Sequence, residues 1–315
     1  MTMPAPLYIV FNLGAGHGSG DTVHNTITAA CAAAGREVQV LAVDDPRRLG
    51  DIARQAVQLA QANGGVVVAA GGDGTINTVA QATLGSGCDF GVLPQGTFNY
   101  FSRTHGIPSD PAEAMQVLLT AQAQPVQVGL VNGQVFLVNA SLGLYPRLLE
   151  DREAWKSQFG RNRLVAFGAG LMTLLRGHRN LHLDIDVQGS RRALRTPTLF
   201  IGNNALQREQ LGLPQARAID AGAQAVVALQ PLGRWAMLGL VLRGALGRLG
   251  EADAVIGFGC QRLTVLPSWR WARRGMKLAT DGEVQRTRLP LEFSVSPTPL
   301  QLIRPAAPAP ERQSS

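Results

Sequence analysis

Four short stretches of the chain carry residue types that could handle a phosphorylated ligand. In "AAGGDGTINTVAQATL", residues 69–84, an apolar run ends at Ala70, glycines at 71, 72 and 74 surround Asp73, and a helical pattern opens at Thr75. Peptide N–H groups at a helix N-terminus bind phosphate oxygens most closely where no Cβ intervenes, so Gly71, Gly72, Gly74 and Thr75 form a candidate cradle. Asp73 would hold Mg²⁺ or its water shell against the phosphates. A tight strand-to-helix turn capped by Thr75 fits the same residues. A Walker A loop is excluded, because no Gly-Lys-Ser/Thr follows.

The second stretch, "FNLGAGHGSG" at 11–20, is a glycine-rich loop with Asn12 at the end of an apolar run. Its glycines miss the G-x-G-x-x-G spacing of a dinucleotide site, leaving either a loop near the same nucleotide or a plain turn. The third, "GVLPQGTFNYFSR" at 91–103, ends a strand at Pro94, turns at Gly96 and offers Thr97 and Asn99 as hydrogen-bonding side chains. The fourth, "LATDGEV" at 278–284, sets Asp281 and Glu283 two positions apart. On a resumed strand both carboxylates share a face and could reach one cleft. Asp-Gly between apolar residues is equally a hairpin signal.

The elements that must position these residues change character near residue 124. Before it, "LYIVFN", "EVQVLAV", "GVVVAA" and "DFGVLP" alternate with Ala-rich helical patterns, which predicts a parallel sheet with helices on both faces and a ligand at the carboxyl ends of the strands. After Pro125 strands follow closely, beginning with a hairpin turned at Asn132 and Gly133. The expected fold class is therefore α/β plus β, with a parallel nucleotide-binding domain over 1–123 and a mostly antiparallel domain over 124–304. Helical stretches are expected near 155–176 and 232–249, and a disordered Pro/Ala-rich tail over 305–315.

Composition narrows the partners. A chain of 315 residues with 45% hydrophobic and 16% charged residues can bury a sizeable core. No run reaches the roughly 18 apolar residues of a membrane span, and the N-terminus lacks a signal-peptide flank, so a soluble cytoplasmic protein is expected. Cys31, Cys88 and Cys260 are isolated and read as buried thiols. The five histidines show no metal-ligand spacing. A net charge of +7 favours anionic partners, but no nucleic-acid motif accompanies it, and no nucleic-acid partner is expected. "LGRWAMLGLVLRGALGRLG", with Arg234, Arg243 and Arg248 beside leucines, fits a helix lying on an acidic bilayer or one covering the second domain's core. Oligomeric state is not readable.

Taken together, "GGDGT" and "LPQGTFNYFSR" resemble the catalytic domain of the diacylglycerol kinase and sphingosine kinase superfamily, especially its bacterial lipid kinases. "FNLGAG" is similar to the family's Asn-Pro-x-Ala-Gly loop, "FLVNASLGLY" to its Asn-x-x-x-Gly segment and "LATDGEV" to its Asp-Gly-Glu motif, in the same order. The resemblance implies a nucleotide-binding α/β domain followed by a lipid-binding β-sandwich, and transfer of the ATP γ-phosphate to a lipid hydroxyl in a cleft between them. It implies that Gly71, Gly72, Gly74 and Thr75 line the triphosphate, that Gly96, Thr97 and Asn99 contact nucleotide with Asn12 beside them, and that Asp73 organises Mg²⁺. Asp281 is the expected general base and Glu283 the expected metal or positioning acid, with Asp73 a competing base. The implied acceptor is diacylglycerol, a sphingoid base or phosphatidylglycerol, met by peripheral contact at the inner membrane face. Leu13 stands where the family has proline, Tyr100 where it has aspartate, and Ala221 where it has the second acid of a structural magnesium site near Asp220. The shared Gly-Gly-Asp-Gly-Thr loop leaves an NAD-kinase-like soluble acceptor as one alternative. Tyr100 and Ala221 leave a catalytically idle nucleotide- or membrane-binding regulator as another.

Overall fold

The computed structural model describes residues 4–15, 20–143, 180–203, 222–231, 233, 236, 254–266 and 275–306. The chain divides into two compact units, residues 1–126 with 297–315, and residues 127–296.

The first unit builds β1 (Leu7–Asn12), α1 (Gly20–Ala33), β2 (Val38–Val43), α2 (Leu49–Asn63), β3 (Val66–Gly71), α3 (Asp73–Thr83), β4 (Asp89–Pro94), α4 (Tyr100–Thr104), α5 (Pro111–Thr120) and β5 (Ala123–Val126). Every residue of β3 is buried, as are the first five of β1. Continuous apolar runs of this kind fit central strands of a parallel sheet covered on both faces. The helices supply that cover through amphipathic spacing: α2 turns Ile52, Ala53, Ala56, Val57 and Ala60 inward. It stops at Gly64, whose φ of 63° is a left-handed cap that glycine adopts without a Cβ penalty. Asp110 starts α5 by accepting from the backbone N–H groups of Ala112 and Glu113.

The second unit contains β6 (Gly129–Val131), β7 (Gln134–Phe136), β8 (Asn139–Gly143), β9 (Leu181–Val187), β10 (Ser190–Thr196), β11 (Thr198–Gly202), β12 (Gln224–Leu229), β13 (Val255–Cys260), β14 (Arg262–Leu266), β15 (Met276–Thr280), β16 (Glu283–Thr287) and β17 (Leu291–Val295). These form two six-stranded sheets, in the orders β10-β9-β14-β17-β6-β7 and β13-β12-β11-β8-β15-β16, with antiparallel pairing throughout the described ladders. Alternate residues of both sheets meet in one core: Phe136, Leu183, Ile185 and Phe293 from the first, Leu142, Leu199, Ile201 and Leu278 from the second. Phe136 and Phe293 meet edge to face, 6.5 Å between centroids. The unit is a β-sandwich.

The last strand, β18 (Leu300–Ile303), returns to the first unit, pairing parallel with β4 and antiparallel with β5. The sheet order there is β2-β1-β3-β4-β18-β5. The second domain accordingly ends near residue 296 instead of 304, and the first is discontinuous. The physical reason is that Leu300 and Leu302 fill the place beside β4, where both are buried. The expected helices near 155–176 and 232–249, the tail beyond residue 306, and Asp220 with Ala221 lie outside the described residues. Among the described residues, no helix is long and apolar enough to cross a membrane.

Candidate active site

The parallel register brings three of the sequence motifs to one edge of the first sheet. Phe11 lies opposite Ala70 and Gly71 opposite Pro94, so β1, β3 and β4 all end together. From these ends the chain turns at Asn12, Gly71 and Gln95.

Asn12 ties the first loop to the second. Its Oδ1 accepts from the Gly14 N–H at 3.0 Å, while its Nδ2 donates to Thr75 Oγ1 at 2.8 Å. Thr75 is buried, and its hydroxyl proton is not used by that bond. The helix begins two residues earlier than its periodicity predicts, with Gly72 as the N-cap and Asp73 in the first turn. The N–H groups at this end have no carbonyls one turn back, and the helix dipole adds positive potential there.

Three glycines near the cradle differ in what their surroundings require of them. A Cβ on Gly71 would lie 2.6 Å from the Thr75 side chain, and one on Gly96 would lie 2.8 Å from Asn99 Oδ1 and 3.0 Å from Gly72 Cα. Protein packing excludes side chains at both. Gly72 differs: its φ of −81° suits any residue, and a Cβ would meet only Gly96 Cα at an ordinary 3.6 Å. Nothing described in the protein demands glycine there. A ligand that approaches the backbone would.

The third loop is organised by Asn99, buried and at φ 48°, whose Oδ1 accepts from the Gly96 N–H at 2.9 Å. Asparagine tolerates this left-handed conformation because its short amide can bond locally. Thr97 is exposed, and Phe98 and Tyr100 stack in parallel on the surface, 5.4 Å between centroids. Two residues beyond α4's first turn, His105 packs edge-on to Phe101 with Arg304 Nη1 3.4 Å from its Nδ1. Burial, and then the guanidinium charge, lower its pKa from 6.5 to about 4.

On the second unit, Asp281 and Gly282 form the turn between β15 and β16, with φ of 49° and 91°. The Asp281 carboxylate accepts three backbone N–H groups: Leu137 at 2.7 Å, Val138 at 2.8 Å and Asn139 at 3.0 Å. Its own N–H donates to Asn139 O. Leu137 and Val138 link β7 in one sheet to β8 in the other, where no ladder serves them. Their N–H groups are met by Asp281 and their carbonyls by Asn203, through Nδ2 to Leu137 O and N–H to Val138 O. Glu283 opens β16 and is exposed. Gly143, which closes the Asn-x-x-x-Gly segment, is at φ 92°, and a Cβ there would lie 2.3 Å from Pro197 O.

Gln95 was missed by the sequence reading although it sits inside the third motif. Its N–H continues the ladder to Gly71 O at 2.8 Å. The three cysteines are buried; burial raises the Cys31 pKa and carries that of Cys260 to about 11, which keeps both thiols protonated. Among the described residues, no group of three or more His, Cys, Asp or Glu is arranged to hold a metal ion. That arrangement is not required of a kinase magnesium site, where one or two carboxylates act with substrate phosphates. Asp73, in the first turn beside the cradle, fits that donor set.

The chain joins a parallel-rich α/β unit, with strand-loop-helix turns at one edge of its sheet, to an antiparallel β-sandwich, and comparison with known proteins gives the family. The family model described as "Diacylglycerol kinase catalytic domain" matches residues 6–131. A Pseudomonas aeruginosa (strain UCBPP-PA14) protein named "Probable lipid kinase YegS-like" is 32% identical over 303 residues, covering 92% of each chain. The "Diacylglycerol kinase" of Bacillus subtilis (strain 168) is 34% identical over 144 residues, 44% of this chain and 46% of its own. A crystal structure of a Bacillus anthracis str. Sterne diacylglycerol kinase superposes with a TM-score of 0.69 at 20% identity, covering 97% of this chain and 98% of that one, which speaks for the fold. The chain belongs to the diacylglycerol kinase and YegS-like lipid kinase family.

Proposed function

We propose that this protein transfers the γ-phosphate of ATP to a hydroxyl of a membrane lipid, with diacylglycerol as first acceptor and a sphingoid base or phosphatidylglycerol as further acceptors of the same chemistry. It acts peripherally at the cytoplasmic face of the membrane. The observation that carries the reading is Gly72, an N-cap glycine that neither its backbone angles nor its described neighbours require. It lies at a helix N-terminus whose amides suit an anion.

In this reading the amides from Gly72 to Thr75 bind phosphate oxygens, with Thr75 Oγ1 oriented by Asn12 so that its proton points to the ligand. Gly96, Thr97 and Asn99 shape the neighbouring wall. Asp73 would hold Mg²⁺, which when bound offsets charge on the phosphates. The acceptor oxygen attacks the γ-phosphorus, the bond to the β-phosphate oxygen breaks, ADP leaves, and the hydroxyl proton passes to a carboxylate. Between the two acids of the Asp-Gly-Glu turn we assign that proton to Glu283, reversing the expectation from sequence. Protonating Asp281 would disturb bonds to three backbone donors, whereas Glu283 is exposed. Asp281 is the residue that positions the turn.

The test incubates purified protein, Mg²⁺ and γ-labelled ATP with extracted lipids in mixed micelles, then identifies the labelled product. Label in a lipid phosphate supports the proposal. Label confined to NADP or another soluble product moves the protein to the soluble-acceptor class. Nucleotide binding without transfer to any acceptor makes it a regulator.

A further inference from the structure

Beside the cradle, one buried side-chain amide donor meets no acceptor among the described residues. The amide oxygens of two nearby asparagines accept within the protein, Asn12 from the Gly14 N–H and Asn99 from the Gly96 N–H, and Asn12 Nδ2 donates to Thr75. Gln95 has its backbone N–H on Gly71 O, and the residue after it runs so close to the helix start that a Cβ on Gly96 would lie 3.0 Å from Gly72 Cα and 3.6 Å from the Asp73 nitrogen. The buried donor is Gln95 Nε2. A buried amide donor without a partner opposes folding, and such groups are rare in native proteins unless something outside the protein completes them. An aliphatic side chain of similar length would fill the same space without that cost.

We infer that Gln95 is a phosphate-binding residue of the nucleotide site, its Nε2 donating to an oxygen of the triphosphate seated at the N-terminus of α3. The inference rests on reading that terminus as a phosphate cradle. An N–H group can only donate, and every exposed atom of a polyphosphate accepts. Gln95 directly precedes Gly96, whose backbone packs against the N-cap Gly72, and its own N–H is fixed on Gly71 O, so its side chain starts within reach of the same helix end. A neutral donor contributes here without adding a charge that would hold ADP after transfer, which a lysine would do.

The experiment compares wild type with Gln95→Met, which keeps length and removes the donor, and Gln95→Glu, which replaces it with a negative charge. Mg-ATP affinity is measured by calorimetry, tripolyphosphate affinity by competition, and the melting temperature without ligand is recorded for each. A hydrogen bond to a charged acceptor predicts a loss of roughly 10- to 100-fold in ATP affinity for Gln95→Met, a similar loss for tripolyphosphate, and a larger loss for Gln95→Glu. The ligand-free melting temperature of Gln95→Met should equal or exceed that of wild type, because an unmet buried donor has gone. ATP affinity within twofold of wild type in Gln95→Met overturns the inference. So does a loss for ATP with none for tripolyphosphate, which would place the contact on the nucleoside. Wild-type protein that binds neither probe would instead fail the phosphate-cradle reading itself, so the two failures are distinguishable.

Discussion

Asp281 and Glu283 are two residues apart, and removing each should damage the protein in a different way. Asp281→Ala removes the acceptor of three hydrogen bonds and leaves the N–H groups of Leu137, Val138 and Asn139 without that partner. A bond to a charged acceptor contributes about 1.5–3 kcal/mol, but bonds sharing one carboxylate are not additive. Alanine also tolerates a φ of 49° less well than aspartate. A loss of roughly 3–5 kcal/mol is expected. Asp281→Asn keeps one oxygen for Val138 and Asn139 and turns an amide N–H₂ toward Leu137 N–H, for roughly 1–3 kcal/mol. The assay is amide hydrogen exchange at residues 137–139 together with thermal melting. Both variants should exchange faster there, alanine more than asparagine. Glu283→Gln should leave exchange and melting unchanged while single-turnover phosphoryl transfer falls about 10²- to 10⁴-fold. Unchanged protection at 137–139 in Asp281→Ala would refute the anchoring role. An Asp281→Asn protein that keeps its protection but transfers no phosphate, beside a Glu283→Gln protein of normal rate, would return the proton to Asp281.

Gly72→Ala should lose only about 1 kcal/mol of stability, as an N-cap exchanged for alanine, and lose Mg-ATP affinity, while Gly71→Ala, whose Cβ would lie 2.6 Å from Thr75, should lose about 1–3 kcal/mol of stability; melting and calorimetry on both check this. Equal ATP affinity in Gly72→Ala would remove the ligand explanation for that glycine. Asp73→Asn should melt like wild type, lose turnover, and show ATP binding that no longer responds to Mg²⁺; an active variant would remove Asp73 from the site. His105 is held neutral when folded, with its pKa lowered from 6.5 to about 4, so the unfolded chain takes up the proton first as pH falls. Its contribution is therefore present above pH 6.5, declines as pH falls, and is lost by about pH 4. The melting temperature of wild type should fall relative to that of His105→Phe as pH is stepped from 7 to 4, and parallel curves would refute it.

How far the fold was legible follows from the range of each interaction. Strand-helix alternation is local, so β1 to β4 and their helices could be read from periodicity. So could the Asn132-Gly133 and Asp281-Gly282 hairpins, whose turn residues adopt the positive φ that the pattern demands. The return of β18 could not. "LQLI" shows a short strand, but nothing within four residues says which sheet receives it, and its partners in β5 lie well over a hundred positions earlier. The same limit hid Asp281, whose carboxylate is engaged 142 to 144 residues away. The Asp-Gly-Glu spelling marks both acids as candidates and cannot say which one faces the backbone.

The glycines show why the site was legible only as a place. All three read alike in sequence, yet Gly71 makes room for Thr75, Gly96 for Asn99 and Gly72, and Gly72 for nothing in the described protein. Only the last points to a ligand, and the distinction needs coordinates. Gln95 is the converse case. A glutamine in a loop carries no local signal, and it becomes informative when its buried Nε2 is seen to meet no acceptor among the described residues. An empty space that glycine did not have to leave and a residue whose side-chain donor folding did not use adjoin the same helix end. Two unexplained costs at one point are better accounted for by one anion than by two separate exceptions.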